Sequence, residues 1–190
     1  MPHNHREIPT IFYNTETRVP IDRCLVCHSY LLIDTDYIIE KAIVNYPTTD
    51  SFDLIWEFAM CIDCMTSFLN EYSKQSHTIM DNYFKKNMNF SRLHKLISDK
   101  NYNIDEWIKE CIITGKRKNQ CNQYQLCLQC KGKEAIFDRT PFLISDEALD
   151  EISQLLSNQT IDAMNQFRDK HFPPPENLNP FFRKKDFLIV

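Results

Sequence analysis

Glycine is almost missing from this chain: 190 residues contain 2. A loop that cradles phosphate on bare backbone usually needs several residues without a side chain, so the scarcity argues against a glycine-lined nucleotide-hydrolase site. The same scarcity leaves no G-x-S-x-G elbow for a serine nucleophile. Long apolar runs are lacking as well. No stretch approaches the roughly 20 apolar residues that span a bilayer. Met1 to Thr10, with His3, His5, Arg6 and Glu7, carries no hydrophobic segment of a secretory signal, which predicts a cytoplasmic protein with no membrane partner. An excess of positive charge is absent too. Lys and Arg number 22 against 26 Asp and Glu, for a formal net charge of -4. The basic runs, Lys116 to Lys118 and Arg183 to Lys185, are short and read as solvated loop and tail.

What the sequence does have is cysteine, 8 in all. In a reducing compartment, cysteines at short paired spacing mean metal or redox chemistry more often than disulfides. Cys24 and Cys27 form one C-x2-C pair, Cys61 and Cys64 another. Zinc takes four ligands at tetrahedral corners, and a two-residue spacer lets one tight turn offer two sulfurs to the same ion. The remaining four, Cys111, Cys121, Cys127 and Cys130, make a second, less regular set, again one complete zinc valence. In it Cys127 and Cys130 read as a knuckle, while Cys111 and Cys121 are single ligands; His94 or His171 could stand in for either. The expectation is two structural zinc ions, each held by four thiolates. Four thiolates about one dication add -2 per cluster, so two clusters take the total from -4 to -8, which weighs against duplex nucleic acid.

Local patterning places these pairs. Tyr30 to Tyr46 is rich in Leu, Ile, Val and Tyr and is broken at Asp34, Thr35 and Asp36. Phe52 to Met60 is a second bulky apolar run, and Pro47 to Ser51 between them is turn chemistry, which predicts a hairpin. Met65, Phe68, Leu69 and Tyr72 then recur at helical spacing, so a helix starts at the second pair. Knuckle, hairpin and ligand-bearing helix over residues 20 to 75 resemble a treble-clef zinc module, which implies an architecture and no activity. Further amphipathic stretches run through Ile79, Tyr83, Phe84, Leu93, Leu96 and Ile97, then Ile104 to Glu110. A small hairpin turns at Lys131 to Lys133, and Ser145 and Asn158 frame two more short helices. The predicted fold is α+β, with small zinc-stapled β-hairpins of treble-clef or zinc-ribbon type and several short amphipathic helices. Its expected organisation is an arm over 1–20, a first zinc module over 21–102, a second over 103–172, and a proline-rich tail over 173–190. Phe187 to Val190 in that tail are expected to dock on the body.

Two rival motifs fail. Cys24-Leu25-Val26-Cys27-His28 has the form of a c-type haem attachment site, but haem needs export and leaves six cysteines unexplained. A thioredoxin-like pair needs an α/β domain of alternating strands and helices, which the pattern does not supply. Closed four-thiolate shells lack the open position of catalytic zinc, and neither H-E-x-x-H nor H-x-E with P-C-x-x-C occurs. The acidic residues Asp34, Asp36, Asp50 and Asp53 fall near inferred turns and read as solvated. The function expected from sequence is therefore a non-catalytic zinc module that binds a protein. A nucleic-acid binder using Lys116 to Lys118 with Tyr124 for stacking is the alternative, and an enzyme with a site between the modules is a third reading. The sequence alone predicts purified protein with two zinc ions per chain and no Soret absorption, checked by elemental analysis and an absorption spectrum.

Overall fold

A computed structural model describes residues 4–46 and 51–173. The turn expected at 47–50, the tail beyond Pro173 and its basic run at Arg183 to Lys185 lie outside the described residues. The fold is mixed α+β, an antiparallel sheet with six α-helices among the described residues. None of these helices is long and apolar enough to cross a membrane.

The sheet is organised by two long strands, β2 (Asp36–Tyr46) and β3 (Ser51–Cys61), which pair from Tyr37↔Cys61 to Tyr46↔Ser51 with a bulge at Ala42/Ile43. On the other side of β2 lies β4 (Gln123–Lys131), in register from Asp36↔Lys131 to Val44↔Gln123. The far edge of β4 is shared by β5 (Glu134–Ile136) and β6 (Phe142–Ser145), and β5 pairs in turn with β1 (His5–Glu7). One sheet therefore runs through both stretches that the cysteine count had suggested as modules. The expected arm is also built in: β1 is a strand, and Phe12 just beyond it is fully buried. Three or four residues, as in β1 and β6, are too few to show a period.

Paired on both sides and covered on both faces, β2 is buried from Tyr37 to Ile43, the polar Glu40 and Lys41 included. One face carries Ile38, Glu40 and Ala42 and is roofed by helices. Phe58 of β3 meets Phe167 of α6 (Asn158–His171), which also packs 4.5 Å from Phe68 of α1 (Ile62–Leu69). The amphipathic stripe continues through α2 (Lys74–Asn87), α3 (Phe90–Ser98), a short α4 (Ile104–Trp107) and α5 (Asp146–Ser153). Helix starts follow the usual chemistry: Ser73, Asn89, Asn103 and Ser157 each accept a backbone hydrogen bond from the first turn. The starts of α2 and α6 are stitched together. Ser73 Oγ lies 2.8 Å from Ser157 Oγ, the Ser73 amide donates to Thr160 Oγ1, and the Ser157 amide donates to Ser76 Oγ.

The opposite face carries Tyr37, Ile39, Lys41 and Ile43 and is covered in part by the N-terminal segment. Lys41 Nζ donates to the Tyr13 carbonyl and pairs with Glu57 of β3 at 2.7 Å, while the Thr15 amide and hydroxyl donate to Glu57. Burial acts to raise the Glu57 carboxyl, but Lys41 and Thr15 outweigh it and hold the pKa below the ordinary 4.5. A lowered folded value stabilises fully above the unfolded pKa and loses that stabilisation as pH falls through the folded one. Glu57→Gln should therefore remove part of the fall in stability as pH drops below the ordinary carboxylate pKa, read in urea titrations. It should also cost about 3–5 kcal/mol at neutral pH, since Lys41 is left buried without its counter-charge. A neutral-pH loss below about 1 kcal/mol would show that the pair does not anchor the N-terminal segment.

Candidate metal centre

Four sulfurs converge because three local structures end at one place. Cys24 opens a tight turn in which its amide bonds to the Ser29 carbonyl at 3.0 Å and the His28 amide bonds to the Cys24 carbonyl at 3.0 Å. His28 closes the turn in the left-handed region, φ 59°. Glycine is the residue that usually takes this conformation, and histidine is among the few others that tolerate it. The Leu25 amide donates to the Ala59 carbonyl at 2.9 Å, which straps the turn to the end of β3. Cys61 is the last residue of β3 and the N-cap of α1, and Cys64 lies in the first turn of α1.

The result is a group whose Sγ atoms all lie within 4.8 Å of one another. Cys27 Sγ and Cys61 Sγ are 3.8 Å apart, and all four cysteines are free thiols. A disulfide would need about 2.05 Å. A tetrahedron with metal–sulfur bonds of about 2.3 Å has edges of about 3.8 Å. The donor set is thus of the size and softness that suits zinc. Cys24 is fully buried and Cys27 exposed, so the centre lies at the margin of the core.

Electrostatics point the same way. Hydrogen bonds from the Ser29 side chain and backbone pull the Cys27 thiol down to about 6, so it ionises near neutral pH. Burial pushes Cys64 well up, helped by its cysteine neighbours, and burial likewise raises Cys61. Four thiolates this close cannot all ionise while they face only one another. A dication removes that conflict and draws off the protons.

The second set is not drawn together in this way. Among the described residues, Cys24, Cys27, Cys61 and Cys64 are the one group of three or more His, Cys, Asp or Glu able to surround an ion. Cys127 and Cys130 both lie inside β4, three residues apart, and so point to opposite faces of the sheet. Cys127 sits opposite Glu40 and Phe142, where burial pushes its thiol far up; Cys130 sits opposite Tyr37 and Ala135 and is pushed up to about 12 by burial. Cys111 forms a turn beside β6, where its sulfur accepts from the amides of Thr114 at 3.4 Å and Ser145 at 3.3 Å. Cys121 donates to the Arg117 carbonyl, and burial pushes it up to about 12. His94 is exposed on α3, and His171 stacks on Phe167 4.5 Å away. The sequence did hold a warning: Tyr124, Leu126, Leu128 and Cys130 alternate with Gln125, Cys127 and Gln129, a strand period that a knuckle does not have.

The basic run divides as well. Lys116 is held by Glu147 at 2.6 Å and Asp146 at 4.0 Å, whereas Arg117 and Lys118 line a cavity with Lys41, Ile43 and Tyr124. No family model, curated protein or solved structure matches the chain.

Cys61→Ser and Cys64→Ser should lower the melting temperature much more than Cys121→Ser. The first two break a shell that would join turn, hairpin and helix, while the Cys121 thiol makes one hydrogen bond, to the Arg117 carbonyl. Differential scanning calorimetry of the three variants checks this, and equal losses would show that Cys121 is a ligand after all.

Proposed function

We propose that the protein is a zinc-stabilised, non-catalytic binding module with a treble-clef centre formed by Cys24, Cys27, Cys61 and Cys64. The observation that carries this reading is the mutual approach of four sulfurs within 4.8 Å. Cys24 and Cys27 would supply the knuckle, β2 and β3 the hairpin, and Cys61 and Cys64 the start of α1. Zinc held by four thiolates keeps no position for water and has its Lewis acidity quenched, so its contribution is to the fold. The chain's own residues then do the work of a module: the Leu25 to Ala59 strap and the Tyr37↔Cys61 register hold the sulfurs in place.

A protein partner is the first reading of what the module binds. The nucleic-acid reading gains support from one observation, that Arg117 and Lys118 border a cavity on the sheet. One zinc ion per chain is expected by elemental analysis of the folded protein. A strong chelator should unfold residues 20–75 first, seen as early loss of amide protection in β3 and α1. Two ions per chain would mean that the second set rearranges to bind metal, and fewer than one half would overturn the centre itself.

A further inference from the structure

A cavity of about 800 Å³ opens on the face of the sheet that carries Lys41 and Ile43. Its floor is the far half of the β2–β3 hairpin, through Lys41, Ile43 and Leu54, with Tyr124 of β4 beside them. The rest of the lining comes from the N-terminal segment at Tyr13 and Arg18, from Asp105 of α4 with Ile108 after it, and from Arg117 and Lys118. The volume lies in the range of small-ligand pockets, and the mixture of apolar lining with a few polar groups is also theirs.

The charge of the lining is one-sided. Five lining residues are cationic, Arg18, Lys41, Lys109, Arg117 and Lys118, against the one carboxylate of Asp105. Lys41 is neutralised by Glu57 at 2.7 Å, and Lys109 has Glu106 at 3.4 Å. Among the described residues Arg18, Arg117 and Lys118 make no salt bridge, so three cations of the lining are without a paired carboxylate. The Lys118 ammonium sits 5.8 Å from the centre of the Tyr124 ring. Burial depresses its pKa despite the nearby Asp105, so an incoming anion would relieve a cost the protein already bears. Apolar contact comes from Ile43, Leu54 and Ile108, and planar contact from Tyr13 and from Phe52, which is 57% exposed at the rim.

We propose that this cavity is a binding site for a nucleoside phosphate, with Arg18, Arg117 and Lys118 on the phosphate and the Tyr13 and Phe52 side on the base. Arginine forks and a lysine suit phosphate oxygens, and aromatic rings accept a base without reading its sequence. The ligand can be a free nucleotide or the end of a single strand. A long duplex is disfavoured by the net charge of -4 over the chain. This inference builds on the binding-module reading and makes no use of the zinc centre.

The test is calorimetric titration of the full zinc-containing chain with AMP, adenosine, inorganic phosphate, an eight-residue oligothymidylate and a phosphotyrosine peptide, with zinc content measured on every sample. AMP should bind in the range of about 10–100 μM, with adenosine and phosphate each at least tenfold weaker, because each offers half of the contacts. Arg117→Gln with Lys118→Gln should weaken AMP at least tenfold at unchanged zinc content and melting temperature. Should that pair fail to fold, Arg18→Asn, which keeps a residue tolerant of φ 59°, should weaken AMP threefold or more. Tighter binding of the oligonucleotide, with a salt slope near -2 for three contacts at about -0.7 each, identifies a strand end as the source, and equal binding identifies the free nucleotide. Failure of AMP and oligonucleotide alike to bind below 1 mM overturns the proposal while leaving the zinc centre standing. So does binding indifferent to these substitutions, or a phosphotyrosine peptide that binds more tightly than AMP.

Discussion

The return of β3 alongside β2 decides where every sulfur of the centre lies. Pairing Tyr37 with Cys61 brings the end of β3 level with the start of β2, and the Leu25 to Ala59 hydrogen bond hangs the Cys24 turn on that same end. From there the chain enters α1, so Cys64 follows Cys61 by one helical turn. A one-residue slip of the hairpin would turn Cys61 to the other face and move Ile39 and Phe58 out of the layers they fill. Register and ligation would therefore enforce each other: the packed strand selects the sulfur geometry, and metal would hold the strand ends against fraying.

The sheet has two differently made faces. Under the helices, Phe58, Phe68 and Phe167 bring large apolar surfaces together, which stabilises through area removed from water. On the other face, cover comes from an N-terminal segment held through polar contacts, with Lys41 and Glu57 at its centre, and from the stretch through α4 to Lys109. This cover leaves part of the face unfilled, and the unfilled part is the cavity beside Ile43 and Tyr124. The same buried lysine thus anchors the segment and forms part of the cavity floor.

The cysteines of the second half have local partners of their own. Amides of Thr114 and Ser145 serve Cys111, and the two thiols of β4 are separated by the sheet itself. Small, weakly polar thiols pack well in such places. Cysteine count by itself does not separate this use from ligation.

By itself, the sequence determined the hairpin over β2 and β3, the helix that begins at Cys61, the later amphipathic helices and the turn at Gly132. In each of these places period, turn residues or caps act over a few neighbours, so the signal is local. It also marked Cys24, Cys27, Cys61 and Cys64, because their paired spacing reflects the turns that present them. Only the tertiary structure decided that β2 pairs with β4 and joins the two halves in one sheet, since long-range pairing leaves no mark in either strand alone. It alone placed β1 and Phe12 in the body, separated Cys127 from Cys130 by the pleat, and divided Lys116 from Arg117 and Lys118. Those outcomes depend on which elements meet across the sheet, and that is settled by the packing of the whole chain.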